Sequence, residues 1–139
     1  MDVEKIKVQL IHINGERSNG EFYLFEEAPH NSELVLLQLF YDERQLFSES
    51  GCFFDALISI REELEKDNIL IACNGATENV FTSPMQLSMG VGRKVYKLTV
   101  GEQARVNDVV DIFEFEKELR SVSICAQAEY YRGWLDSLT

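Results

Sequence analysis

Residues 50–75 read SGCFFDALISIREELEKDNILIACNG, and the change of period inside this stretch decides the fold. Phe53, Phe54, Leu57, Ile58 and Leu64 recur at helical spacing, which predicts an amphipathic helix opening after Ser50-Gly51. Ser48 or Ser50 is available as its N-cap, Asp55 suits the first turn, and Glu62 stands four residues before Lys66 in the stabilising orientation. The helix is expected to end at Asp67-Asn68. Ile69 to Cys73 is then a short apolar run halted by Asn74-Gly75, the pattern of a buried strand that delivers its end into a loop. A helix feeding a buried strand implies a crossover connection.

Upstream, Lys5 to Ile13 alternates, with Ile6, Val8 and Leu10 on one side and Lys7, Gln9 and Ile11 on the other, which predicts a half-buried strand broken by Asn14-Gly15. Glu16 to Gly20 reads as a polar loop and Glu21 to Glu27 as a second strand ending before Pro29, so the two make a hairpin. Leu34 to Tyr41 is almost wholly apolar and reads as an inner strand, followed by a turn at Asp42-Glu43-Arg44. Downstream, Asn74 to Asn79 reads as a polar turn and Val80-Phe81 as briefly extended. Ser83-Pro84 opens a short helix carrying Met85 to Met89, ended by Gly90 and Gly92. Lys94 to Val100 and Val109 to Phe113 read as strands. Ser123 to Leu138 reads as an amphipathic helix with Ile124, Ala128, Tyr131, Leu135 and Leu138 on one stripe and Trp134 beside it. The expected fold is therefore α+β: a single domain, residues 1–139, with a mixed, mainly antiparallel β-sheet packed against two main helices.

Composition narrows the function classes. The 139 residues are 45% hydrophobic, enough for one core, and the formal charge of −11 argues against a phosphate-tracking surface, so no nucleic acid is expected as partner. No apolar run approaches the roughly 20 residues of a membrane-spanning helix, and Met1-Asp2-Val3-Glu4-Lys5 lacks the basic and apolar parts of an export signal. A cytoplasmic, bacterial protein with no membrane partner is the expectation. The charge is uneven: residues 1–67 carry a net −9 and residues 68–139 a net −2, with acids gathered at Glu26-Glu27, Asp42-Glu43 and Glu62-Glu63. Such a surface suits solubility, or docking on a basic protein.

Cys52, Cys73 and Cys125 are odd in number and widely spaced, so they predict neither a disulfide framework nor a zinc site, and all three read as small buried hydrophobes. His12 and His30 have no sequence-adjacent nucleophile or acid, so no catalytic residue, metal or cofactor is assigned. The candidate ligand site is the loop region after Cys73. Asn74 and Gly75 would lie beyond a strand's carboxyl end, Asn79, Ser83 and Gln86 would donate neutral hydrogen bonds, and Arg93 would neutralise a small anion.

The run Asn74-Gly75-Ala76, Asn79-Val80, Ser83-Pro84-Met85, Met89-Gly90-Val91-Gly92-Arg93-Lys94-Val95-Tyr96 and Val110-Asp111-Ile112-Phe113 resembles a group of small uncharacterised bacterial proteins. The resemblance covers the middle and later half of the chain and implies a shared fold without an assigned reaction. In size and acidity the chain also resembles the immunity partners encoded beside polymorphic toxins. Two readings follow: an acidic binding module, such as an immunity-type inhibitor of a basic protein, or a small-molecule or anion site, enzymatic or not, in loops 74–93. A third, self-association through Tyr130, Tyr131 and Trp134, is less economical than placing those rings in the core.

Overall fold

The first hairpin closes more tightly than its polar sequence suggests. In the computed structural model, which describes residues 3–82, 91–117 and 119–139, strand β1 spans Glu4–His12 and β2 spans Arg17–Phe25. The His12 carbonyl accepts from the Gly15 amide at 2.8 Å and the His12 amide donates to Glu16 O at 2.9 Å, with Gly15 at φ +87°. This three-residue loop with its bulge lets Arg17 to Gly20 pair with Ile11 to Val8, so most of the expected loop at 16–20 is strand. Its polar side chains misled the reading, because Arg17 and Asn19 alternate onto the face away from the core.

Strand β3, Val35–Tyr41, is the expected inner strand. Asp42 and Glu43 then adopt φ of 44° and 61°, a two-residue turn of the primed kind, and return the chain as β4, Arg44–Ser50. That strand was not anticipated, since its residues are mostly polar and only Leu46 points firmly inward. Ser48 and Ser50 belong to it, so neither caps the helix. Helix α1, Phe53–Lys66, is instead capped by Cys52, whose Sγ accepts from the Asp55 amide at 3.5 Å. From the edge strand β4 the helix crosses the sheet to β5, Ile69–Ala72, giving the order β4-β3-β2-β1-β5 with every neighbouring pair antiparallel. By that alternation β4 and β5 run the same way, so the helix is the expected crossover. Its apolar face, with Phe53, Phe54, Leu57 and Ile60, packs on Leu10, Phe22, Leu37 and Leu39.

Beyond β5 the chain makes a buried 3-10 turn at Asn74–Ala76 and then a small sheet of order β6-β7-β8, formed by Val80–Phe81, Lys94–Lys97 and Val109–Asp111. The last two are shorter than expected. The short helix expected from Ser83 to Met89 lies outside the described residues. Helix α2, Ile124–Ser137, is capped by Ser123 Oγ on the Ala126 amide at 3.1 Å. Its inward face differs from the expected stripe: Gln127 and Trp134 are buried, whereas Leu135 and Leu138 are exposed. Phe81 stacks on Tyr131 with centroids 4.1 Å apart, and Tyr131 lies 5.9 Å from Trp134. The rotation follows from Gln127, whose Nε2 reaches the carbonyls of Gly75, Thr77 and Val80 at 2.8–3.0 Å. A polar side chain so fully satisfied is inexpensive to bury, and apolarity alone could not signal it.

The fold is thus α+β and mostly antiparallel, with one buried cluster running from Val8 to Phe113. Gly75 sits where that cluster is tightest, since a Cβ there would lie 2.5 Å from Leu57 Cδ2 and 2.9 Å from Ile112 Cβ. Gly75→Ala is expected to destabilise the protein by about 1–3 kcal/mol, as overpacked core substitutions do. Urea denaturation would measure it, and an unchanged midpoint would disprove the close packing.

Candidate functional site

The turn after β5 positions the first two expected site residues, and both serve the fold. Asn74 is buried; its Nδ2 donates to Asp111 O at 3.1 Å and to Glu116 Oε1 at 3.4 Å. Gly75 contributes its carbonyl to Arg61 and Gln127. Asn79 donates to Leu98 O at 3.3 Å, and with Asn74 it lines a small hollow of about 230 Å³ whose charges, Lys97 with Glu116 and Arg120 with Glu78, are already paired. Ser83 and Gln86 lie outside the described residues. Arg93 lines a different hollow, beside Leu24 and Phe53, although Asp111 links it to Asn74. The structure therefore brings Asn74, Gly75 and Asn79 together and places Arg93 on another surface.

Arg93 is also committed electrostatically. Its Nε donates to Asp111 Oδ2 at 2.9 Å and its Nη2 to Glu4 Oε2 at 2.8 Å, a forked arrangement on two carboxylates. The hydrogen bond from Arg93 holds the Glu4 carboxyl below its ordinary range, and that same bond raises the arginine. Burial pushes the Cys73 thiol up to about 11 and raises Cys52 as well, so neither is a ready thiolate. Cys125, expected inside, is exposed on α2. His12 pairs through Nε2 with Ser18 Oγ at 2.8 Å and His30 stands on an exposed loop. Among the described residues no cluster of His, Cys, Asp and Glu could hold a metal ion, and no helix is long and apolar enough to cross a membrane.

A different feature emerges at the edge of the large sheet. His12 exchanges its backbone bonds towards β2, so by alternation Leu10, Val8, Ile6 and Glu4 do the same, while Ile11, Gln9, Lys7 and Lys5 turn theirs outward. Ile11 and Gln9 face Leu70 and Ala72 on β5. There β5 stops. The Asn74 amide goes to Glu114 O at 2.9 Å and the Gly75 amide to Ile112 O at 2.8 Å, so the chain leaves β1 for the second sheet. Lys7 and Lys5 consequently face no strand among the described residues. Beside them lies a hollow of about 500 Å³, bounded by Ile6, Val8 and Ala72 on one side and by Phe113, Glu114 and Phe115 on the other. Phe113 is core, whereas Phe115 is 58% exposed at the rim. The volume falls within the range of about 300–1,000 Å³ typical of ligand sites. Sequence reading missed this edge because strand order creates it.

The chain matches no established protein-family model and no curated protein sequence.

Two tests follow from these groups. Glu4 has a lowered folded-state pKa, so its contribution is complete above the ordinary carboxylate range of about 4.3 and disappears as pH falls through the lowered value. Because Glu4 is half exposed, Glu4→Gln is expected to cost no more than about 1 kcal/mol at neutral pH, with the gap closing as the solution is acidified below about pH 4. Urea midpoints of parent and variant across that range would show it; a gap that widens in acid would contradict the pairing. With an aromatic disulfide reagent, Cys125 is expected to react rapidly in the native protein, and Cys52 and Cys73 only after denaturation. Rapid native labelling of Cys73 would refute its burial.

Proposed function

We propose that the protein is a binding module that takes an extended segment of a partner protein along the open edge of β1. The observation that carries this reading is the early end of β5, which leaves the outward backbone groups of Lys5 and Lys7 beside an apolar hollow. Extended peptides add to such edges because main-chain hydrogen bonds supply affinity and alternate side-chain pockets supply selectivity. Proteins usually cover, bend or shorten a long unpaired edge, and here a hollow lies along it instead. An inhibitor of the immunity type would use the edge in this way, by occupying a strand of its target.

The acids that suggest a basic partner stand on separate surfaces: Glu26 and Glu27 on the loop between β2 and β3, Asp42 and Glu43 at the β3–β4 hairpin tip, Glu62 and Glu63 on the outer side of α1. The edge therefore supports the binding-module reading more directly than the net charge does. A small-ligand site in the loops has less support, because the amides of Asn74 and Asn79 and the charge of Arg93 already serve neighbouring groups.

Lys7→Pro tests the proposal. Proline removes only an amide that points outward, so the β1–β2 ladder keeps its bonds. With a blocked Thr-Val-Thr-Val-Thr-Val peptide as probe, amide exchange at Lys5 and Lys7 is expected to slow in the parent protein. The variant is expected to bind about tenfold more weakly, the worth of one or two lost hydrogen bonds. Phe115→Ala, at the exposed rim, should weaken binding by removing apolar contact, without touching the ladder. Equal affinity in parent and both variants, or protection confined to other strands, would reject the edge as the site.

A further inference from the structure

We infer that the segment received by β1 alternates apolar with acidic residues. The inference rests on the strand-addition reading above and concerns the two faces that an added strand would present. Residues of that strand opposite Lys5 and Lys7 would project onto the outer face, and those opposite Ile6 and Val8 onto the inner one. The inner side is apolar, formed by Ile6, Phe113 and the exposed rim ring of Phe115.

The outer side is cationic. Lys5 and Lys7 are exposed and enter no ion pair among the described residues, whereas Arg44, Arg61, Lys66, Arg93, Lys94, Lys97 and Arg120 are all paired. Lys5 rests over the ring of Tyr23, its neighbour on β2, at 5.0 Å, so its ammonium lies on the outer sheet face. The neighbouring acids do not remove this charge. Glu4 is held by Arg93 and Glu116 by Lys97, while Glu21 stands opposite Lys7 on β2 and Glu114 on the far wall, neither within ion-pair distance of either lysine. Arg17, also on this outer face, bonds Gln9 near the hairpin end. In a protein of net charge −11, the open part of β1 thus carries on its outer face the two charges of Lys5 and Lys7, outside any ion pair among the described residues.

The same two lysines disfavour a second copy of the chain. Antiparallel self-pairing centred on Ile6 would set Lys5 of one copy directly against Lys7 of the other, twice over, and like charges directly opposite each other destabilise a ladder. An acidic alternating strand reverses both contacts. At the short separation of paired strands, this local charge outweighs more distant acids, which salt screens beyond about 8 Å.

Three blocked hexapeptides separate the outcomes: (Glu-Val)3, (Lys-Val)3 and (Thr-Val)3, each titrated into the intact protein at about 0.15 M ionic strength, where distant acids are screened. The acidic peptide is expected to bind about tenfold more tightly than the basic one, with a preference that shrinks as salt is added. In the Lys5→Gln/Lys7→Gln variant the difference between acidic and basic peptides should vanish. Equal or tighter binding of the basic peptide, with the neutral peptide still protecting Lys5 and Lys7, would overturn the acidic assignment and leave strand addition standing. Failure of all three peptides would overturn both. Protection of the Lys5 and Lys7 amides that grows with protein concentration alone would identify a second copy as occupant, and would also overturn the assignment.

Discussion

A single buried guanidinium organises the junction on which the rest of this molecule depends. Arg61 is only 2% exposed, on a helix whose inward face is otherwise apolar. Its Nη1 donates to Gln127 Oε1 at 2.6 Å and to Gly75 O at 3.3 Å, and its Nη2 to Val122 O at 3.0 Å. Nε has no hydrogen bond and faces Glu65 at 3.9 Å. Burial lowers the arginine's pKa, but an arginine remains charged at any ordinary pH, so the cost of desolvation has to be offset by these acceptors. Removing such a partner typically costs about 3–5 kcal/mol, because the remaining charge stays buried and unpaired.

The acceptors belong to different parts of the chain, and this gives the cluster its architectural weight. Gly75 lies on the turn after β5, Val122 on the approach to α2, and Gln127 on α2 itself. Glu65, one turn along α1 from Arg61, accepts from the Ile124 amide at 3.0 Å and so satisfies a donor at the start of α2. Helix α1, the turn and α2 are thereby fastened around one carbonyl group, that of Gly75, and Gln127 ties in β6 through the Val80 carbonyl. Only a residue without a Cβ fits there, between Leu57 and Ile112.

The open edge of β1 appears on the opposite side of the same turn. Drawing Asn74 and Gly75 towards Ile112 and Glu114 takes the chain away from β1 immediately after Ala72. Had β5 continued straight, it would have covered Lys7 and Lys5. The open edge and the buried clamp are thus two results of one bend, and the hollow beside the edge is the space that the missing strand length would have filled.

Local pattern in the sequence was sufficient for α1, β1, β3 and β5, because each has an apolar period set by its own residues: Phe53 to Leu64 at helical spacing, Ile6, Val8 and Leu10 in alternation, and two short apolar runs. Acidity and the separation of the cysteines were likewise plain from composition. Strand β4, the inward face of α2 and the placement of Arg61 and Gln127 were not, since a polar side chain declares its burial only through acceptors supplied by distant segments. Asn74 and Gly75 were legible as a special turn, yet their partners, Asp111, Ile112 and Leu57, lie far away in the chain. An edge is a property of strand order, and strand order is settled by packing between segments remote in sequence; for that reason tertiary structure alone exposed Lys5 and Lys7 beside an apolar hollow.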